Sequence, residues 1–288
     1  MEEKNQGDPD FFAEVQIAII GLGLMGGSLA LGLRDRCKGL VAADPDPVAQ
    51  DFAIEKQIVA HITADPAEIL PNADLVILAA PVSTITDFIP RLPELHPGSP
   101  VVIDLGSTKV QICQEYQGLP PRFETVGGHP MCGKAVGGLP HAEAGLYQDA
   151  PFAFTPTAGT TERAREYADQ LAYALGANPV WIGPDTHDRW VAATSHLPYL
   201  LSSALVLGTP AEAAQLIGPG FRSVSRLASS PPSIMIPILN TNRRHVLEAI
   251  HRFRHHLDNL ETSITGGDNA TLKTHLDSAS DHHAHLTN

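Results

Sequence analysis

Val15-Gln16-Ile17-Ala18-Ile19-Ile20-Gly21-Leu22-Gly23-Leu24-Met25-Gly26 decides the fold of this chain. A nearly continuous apolar run rich in β-branched residues stops at a glycine-spaced turn, and from Met25 to Leu33 the pattern becomes helical. The run reads as a strand buried on both faces. Gly39-Leu40-Val41-Ala42-Ala43 supplies a second strand, closed by Asp44-Pro45-Asp46-Pro47, so strand, helix and strand form a βαβ unit. The glycines have separate tasks: Gly21 permits the tight turn, Gly23 lets backbone approach a pyrophosphate, and Gly26 lets helix and strand pack closely. The helix N-terminus attracts the phosphates. Leu22, Leu24 and Met25 lie between the glycines and belong to the same dinucleotide-binding segment.

Asp44 stands at the end of the second strand, where a carboxylate accepts hydrogen bonds from the adenosine ribose hydroxyls and repels a 2′-phosphate. That favours NAD over NADP. The competing reading is that Asp44 only caps the proline-rich turn after it.

Further strands are expected at Leu75 to Ala79, Val101 to Asp104, Phe123 to Val126, Phe152 to Phe154 and Pro179 to Ile182, with a helix from about Thr161 to Leu175. Alternating elements imply a doubly wound α/β sheet over about residues 14–184. Asp185-Thr186-His187-Asp188 then reads as an N-cap with an acidic first turn, opening an all-helical second domain over 185–288. Trp190, Ala193, Leu197, Leu201, Ala204 and Leu207 fall at helical spacing there, and Pro198 is expected to kink that helix. Arg243 to Ile264 is the best-formed later segment, and the polar tail around Asp281 to His285 is expected to fray.

Composition narrows the function. The chain has 288 residues, a net charge of -13, 43% hydrophobic and 18% charged residues, which suits a soluble two-domain protein and opposes nucleic-acid or anionic-membrane binding. The acidic, polar stretch Met1 to Asp10 resembles neither a signal nor a transit peptide, and no apolar run looks long enough for a membrane span. Cys37, Cys113 and Cys132 are scattered, as expected in a reducing compartment, so the cytoplasm is the expected setting. His251, His255 and His256 have helical spacing, but beside Arg252 and Arg254 they read as a solvated face, and no metal site is assigned to them or to the tail histidines His282, His283 and His285.

Two segments carry candidate chemistry. Asp104-Leu105-Gly106-Ser107-Thr108-Lys109 follows a strand at the edge where ligands bind in open α/β sheets; Gly106 belongs with the cofactor site, and Ser107 either hydrogen-bonds ligand or starts the next helix. Gly127-Gly128-His129-Pro130-Met131-Cys132-Gly133 holds a histidine in what reads as a glycine-bounded turn at the same edge. Imidazole gives or takes a proton near neutrality, so beside a hydride acceptor it suggests alcohol oxidation; a purely structural histidine is the alternative. A Cys132–His129 nucleophile lacks a second base and an oxyanion hole.

Gly21 to Gly26, Gly106-Ser107-Thr108-Lys109, Gly127-Gly128-His129-Pro130-Met131, Asp185-Thr186-His187-Asp188 and Ser195-His196-Leu197-Pro198 occur in the order characteristic of prephenate/arogenate dehydrogenases of tyrosine biosynthesis, which the chain resembles from about Val15 to Ile264. The resemblance implies NAD-dependent oxidative decarboxylation of a cyclohexadienol, with prephenate or arogenate as substrate. It implies that His129 takes the proton of the ring hydroxyl and that Ser107 orients substrate and cofactor. Arg226, at the end of Phe221-Arg222-Ser223-Val224-Ser225-Arg226, would bind the ring carboxylate, with Arg222 contributing to substrate binding. His196 and Tyr199 would line the substrate site; Tyr199 stands where several prephenate-using members carry a second histidine, and Ser229 to Ile236 also departs from the family pattern. No acidic residue is evident there to pair with arogenate's ammonium, which favours prephenate. The family also implies a homodimer through interleaved helices. Two rivals fit less well. A β-hydroxyacid dehydrogenase shares the glycine opening but relies on a lysine in its helical domain, where this chain has only Lys273; a non-catalytic NAD sensor needs no aimed histidine.

Overall fold

The computed structural model describes residues 7–134 and 136–287. Its eight strands are β1 (Gln16–Ile20), β2 (Gly39–Ala43), β3 (His61–Thr63), β4 (Leu75–Leu78), β5 (Val101–Asp104), β6 (Glu124–Pro130), β7 (Pro151–Pro156) and β8 (Asn178–Trp181), in the spatial order 3-2-1-4-5-6-7-8. Strands β1 to β6 are parallel, β7 is antiparallel to β6, and β8 is parallel to β7. The reversal at β7 departs from a purely parallel sheet. Its cause is the connection at 131–150, whose described residues hold one short 3-10 turn and no crossover helix.

Alternation along each strand builds two cores. Ile17, Ile19, Leu75, Ile77, Val101 and Ile103 face one side, and Ala18, Ile20, Val76, Leu78 and Val102 face the other. Helices α1 (Leu24–Leu33) and α2 (Pro47–Glu55) cover the first face, joined later by α6 (Glu162–Ala174). The second face is covered by α3 (Val82–Phe88), α4 (Leu92–Leu95) and α5 (Val110–Tyr116). A fully buried Ile or Leu contributes about 2 kcal/mol, so the two layers hold the sheet rigid behind its carboxyl edge.

From Pro184 onward the chain is helical: α7 (Pro184–Val191), a π-helical turn (Ala192–His196), α8 (Leu197–Leu207), α9 (Pro219–Ser225), α10 (Pro232–Thr241), α11 (Arg243–Thr265) and α12 (Asn269–Thr287). The expected disruption by Pro198 takes a specific form. Proline at the second position of α8 lacks an N–H and crowds the preceding turn, and the π-helical turn ahead of it provides the wider spacing. A helix with an acidic first turn does open here, through Asp185, but its N-cap is Gly183 and its first residue Pro184, and Asp188 is buried. The tail does not fray. Asp268 accepts from the Thr271 N–H at 3.0 Å, capping α12, and Lys273 pairs with Asp277 one turn on.

Within the continuous helix Pro184–Leu207 an 18-residue stretch has a mean hydropathy of 1.3 and is 22% buried, so by length and composition alone the helix could cross a membrane, which corrects the expectation that no run is long enough. Its buried side is mixed, with His187, Asp188, His196 and Ser202 beside Val191 and Ala192, while Trp190, Leu205, Val206 and Leu207 face outward. The helical part buries only a small apolar cluster of its own around Ala192, Val246 and Ala249. Such a helix needs a second protein surface.

Candidate functional site

Five strand ends share one edge. Register pairs Ile20 with Ala43 and with Leu78, Leu78 with Asp104, and Ile103 with Val126, so Gly21, Asp44, Gly106 and Ser107 follow their strands at one edge, and His129, three residues beyond Val126, reaches the same edge. Gly21 has φ +94°, and a Cβ there would meet the Ala79 carbonyl at 2.7 Å. At Gly26 a Cβ would lie 2.1 Å from the Gly21 carbonyl. Gly23 is different: nothing lies within 4 Å of the Cβ it lacks, so its smallness leaves open space rather than serving internal packing. Gly23 also N-caps α1 without any side-chain hydrogen bond, leaving the amides of that turn turned towards the opening. Asp44 caps the turn that follows it. Its carboxylate accepts from Leu22 N–H at 2.6 Å and from Asp46 N–H at 2.9 Å, tying the turn after β2 to the glycine segment.

His129 lies within β6, paired with Ala153 of β7, and not in a turn after it. Gly127 and Gly128 therefore serve close packing: a Cβ would strike Thr155 Oγ1 at 2.1 Å in one case and the Asp104 carbonyl at 2.4 Å in the other. The strand is gripped from below by a buried ion pair that the sequence does not reveal. Lys109 Nζ donates to the Asp104 carboxylate and, at 2.6 Å, to the Gly128 carbonyl, while the Gly128 N–H points at Asp104 Oδ1 from 3.3 Å. Burial pushes the Asp104 carboxyl up, and the Lys109 ammonium beside it pulls it back.

Ahead of His129 stands a second imidazole. His129 Nδ1 lies 2.9 Å from His187 Nε2, and His187 Nδ1 lies 2.8 Å from Asp188 Oδ1. Asp188 in turn accepts the backbone N–H groups of Lys109 and Val110 at 2.7 and 2.9 Å, so a carboxylate from α7 caps α5, the helix that starts directly after Ser107 and Thr108. Neither Ser107 nor Thr108 is the cap; the Thr108 hydroxyl meets that of Thr241 at 2.9 Å, and Ser107 is half-buried at the edge. Asn242 completes the frame, its amide donating to the Asp188 carbonyl at 2.6 Å and to His196 Nδ1 at 3.2 Å, with its oxygen 2.8 Å from His245 Nδ1. His196 therefore carries its proton on Nε2. Burial pushes its pKa down to about 4. Burial likewise holds His129 well below the usual imidazole value, reinforced by His187, Lys109 and His196 around it, and lowers His187.

The sequence candidates divide. Tyr199 is half-buried one turn beyond His196, on the same helical face. Arg222 and Arg226 are exposed, at the end of α9 and the start of the 3-10 turn after it, and no hydrogen bond ties either to the His129 cluster among the described residues. Sequence reasoning missed Lys109, Asp104, His187, Asp188 and Asn242 as parts of the site, although His187 and Asp188 sit in the Asp185–Asp188 motif. Among the described residues no group of three or more His, Cys, Asp or Glu is arranged to hold a metal ion.

Comparison with known proteins agrees with this arrangement. The model of the prephenate dehydrogenase nucleotide-binding domain matches residues 29–180, and that of the prephenate dehydrogenase dimerization domain matches 183–278. A prephenate dehydrogenase of Bacillus subtilis is 28% identical over 281 residues, covering 92% of this chain and 74% of its own. Among solved structures, a prephenate dehydrogenase from A. aeolicus in complex with hydroxyphenyl propionate and NAD+ has a TM-score of 0.87 at 26% identity, covering 96% of this chain and 99% of that one. A Synechocystis arogenate dehydrogenase has a TM-score of 0.81 at 28% identity, covering 94% and 100%. With both its sheet and its helices matched in sequence order, the chain belongs to the prephenate dehydrogenase family.

Proposed function

We propose that this enzyme converts prephenate and NAD to 4-hydroxyphenylpyruvate, carbon dioxide and NADH. The observation that carries the reading is His129, a neutral, partly exposed imidazole whose Nδ1 is taken by His187, at the sheet edge shared with the glycine cradle. The cradle fits a dinucleotide: open space at Gly23 and uncapped amides at the start of α1 suit a pyrophosphate, and Asp44 lies where ribose hydroxyls would donate. NAD bound there supplies the hydride acceptor. A 2′-phosphate would face the Asp44 carboxylate, which disfavours NADP.

His129 takes the proton of the ring hydroxyl as the carbinol carbon is oxidised, and Ser107 holds that hydroxyl and the cofactor in line. Arg226, aided by Arg222, grips the ring carboxylate until its bond to the ring breaks; the electron pair enters the ring, which becomes aromatic. His196 offers an Nε2–H, and with Tyr199 on the same face it meets the far end of the substrate. Positioning and one base suffice.

Residues 14–184 form the nucleotide unit and 185–288 the dimerising unit. Two copies bury the outward apolar sides of α8 and α11 against each other, Leu207 and Leu257 among them. The three unpaired thiols suit a cytoplasmic enzyme.

Initial rates on prephenate and on arogenate, each with NAD and with NADP, test the proposal. The highest kcat/KM is expected for prephenate with NAD. A higher value for arogenate would transfer the substrate to the amino acid, a higher value with NADP would overturn the role of Asp44, and no turnover of either would overturn the reaction.

A further inference from the structure

We propose that His187 is a positioning residue that fixes which nitrogen of His129 faces the substrate, and that Asp188 makes this setting depend on the joint between sheet and helices. The inference rests on the reading of His129 as the base.

The proton inventory runs in one direction. Asp188 already receives two backbone N–H groups from the start of α5, so its carboxylate is an acceptor anchored on the sheet unit. Its remaining neighbour, His187 Nδ1 at 2.8 Å, must then be the donor. A neutral imidazole with its proton on Nδ1 has a bare Nε2, and that lone pair faces His129 Nδ1 at 2.9 Å. His129 Nδ1 therefore carries its proton and donates. What is left is an unprotonated Nε2 on His129, the one ring nitrogen of this pair free to accept a proton from a substrate. The opposite tautomer would put two lone pairs against each other and present an N–H to the hydroxyl that has to be deprotonated.

The rings meet edge to face, with centroids 5.1 Å apart and planes at 66°, which suits one in-plane hydrogen bond and not stacking. His187 is 2% exposed, so water cannot stand in for it. The chain also crosses the molecule. His129 is on β6 and gripped through Gly128 by Lys109, while His187 and Asp188 are on α7, and Asp188 caps the helix that begins at Lys109. One carboxylate thus holds the helices to the sheet, steadies the loop carrying Ser107, and orients the imidazole that orients the base. The same logic by which a carboxylate selects a histidine tautomer in hydrolytic triads applies here with one more ring inserted.

The test uses the full-length enzyme. In wild type labelled with 15N-histidine, the His129 resonances, assigned by their loss in His129→Asn, are expected to show a protonated Nδ1 and a bare Nε2; a protonated Nε2 would overturn the proposal whatever the substrate proves to be. His187→Gln keeps an acceptor where Nε2 stood, and His187→Met keeps the volume without one. With prephenate and NAD, kcat is expected to stay within about tenfold of wild type in the glutamine variant and to fall about 100-fold in the methionine variant, while KM for NAD stays within about twofold in both. Equal kcat in the two variants would overturn the proposal. Inactivity of the wild type on every cyclohexadienyl substrate would instead overturn the reaction while leaving the tautomer measurement standing.

Discussion

The Lys109 backbone N–H donates to Asp188 Oδ1 at 2.7 Å, joining the start of α5 to α7 across the junction between sheet and helices. Two buried amides and an imidazole lose their acceptor if this carboxylate goes. Asp188→Ala is therefore expected to destabilise the protein by about 3–5 kcal/mol, summing a lost cap and unsatisfied buried donors. Urea unfolding with an unchanged m-value checks this. A loss below about 1 kcal/mol would show that water replaces the carboxylate.

Gly23 and Gly26 belong to one motif but have opposite surroundings. Gly26→Ala drives a methyl into the Gly21 carbonyl at 2.1 Å and should cost several kcal/mol, on the order of 3, with a clear drop in Tm. Gly23→Ala meets nothing within 4 Å, and its φ of -80° suits alanine, so Tm should hold. Its methyl would stand in the space reserved for the pyrophosphate. Calorimetric titration is expected to show NAD binding weakened about tenfold, or about 1.4 kcal/mol. Unchanged NAD affinity in Gly23→Ala would place the phosphates elsewhere.

Much of this was legible in the residues, for physical reasons. Buried parallel strands announce themselves as unbroken apolar runs, as in Val15 to Ile20, and the glycine spacing has steric causes that do not depend on distant partners. The three-residue β3, with an exposed start at His61, carried no such pattern. His187 and Asp188 belong to a motif that does mark the opening of α7, but nothing in it shows which helix Asp188 caps, because a capping carboxylate looks the same in sequence whether it caps its own helix or another one. Here it caps α5, 78 residues away from Val110 in the chain. The pairing of Lys109 with Asp104 was equally hidden. Only the fold brings Gly128 between them.

Acid should loosen the protein through its buried imidazoles. Burial lowers the pKa values of His129, His187 and His196, so the unfolded chain, with imidazoles near 6.5, binds more protons than the folded one as pH falls through that range. Stability is full above about pH 6.5 and declines below it. For His196, at about 4 when folded, the loss at pH 5.5 is about 1.4 kcal/mol. Urea unfolding at pH 7.5 and 5.5 checks the sign, and His196→Gln should show a smaller difference between the two. An equal difference would mean that His196 is not the buried neutral group described.

The Arg226 side chain is exposed and has no hydrogen-bond or ion-pair partner among the described residues, the residue's carbonyl accepting from the Ser229 hydroxyl at 2.8 Å. Its removal should leave folding untouched. Arg226→Ala is expected to raise KM for prephenate about 100-fold, the worth of about 2.7 kcal/mol for a charge-assisted pair, with Tm within about one degree of wild type. An unchanged KM would move the carboxylate clamp to another cation.

The proton of the ring hydroxyl is the centre of the account, and His129→Asn tests it most directly. Steady-state turnover of prephenate with NAD should fall about 1000-fold, as expected for loss of a general base, while NAD affinity measured by titration stays within about twofold of wild type. A folded His129→Asn enzyme turning over within threefold of wild type would contradict it.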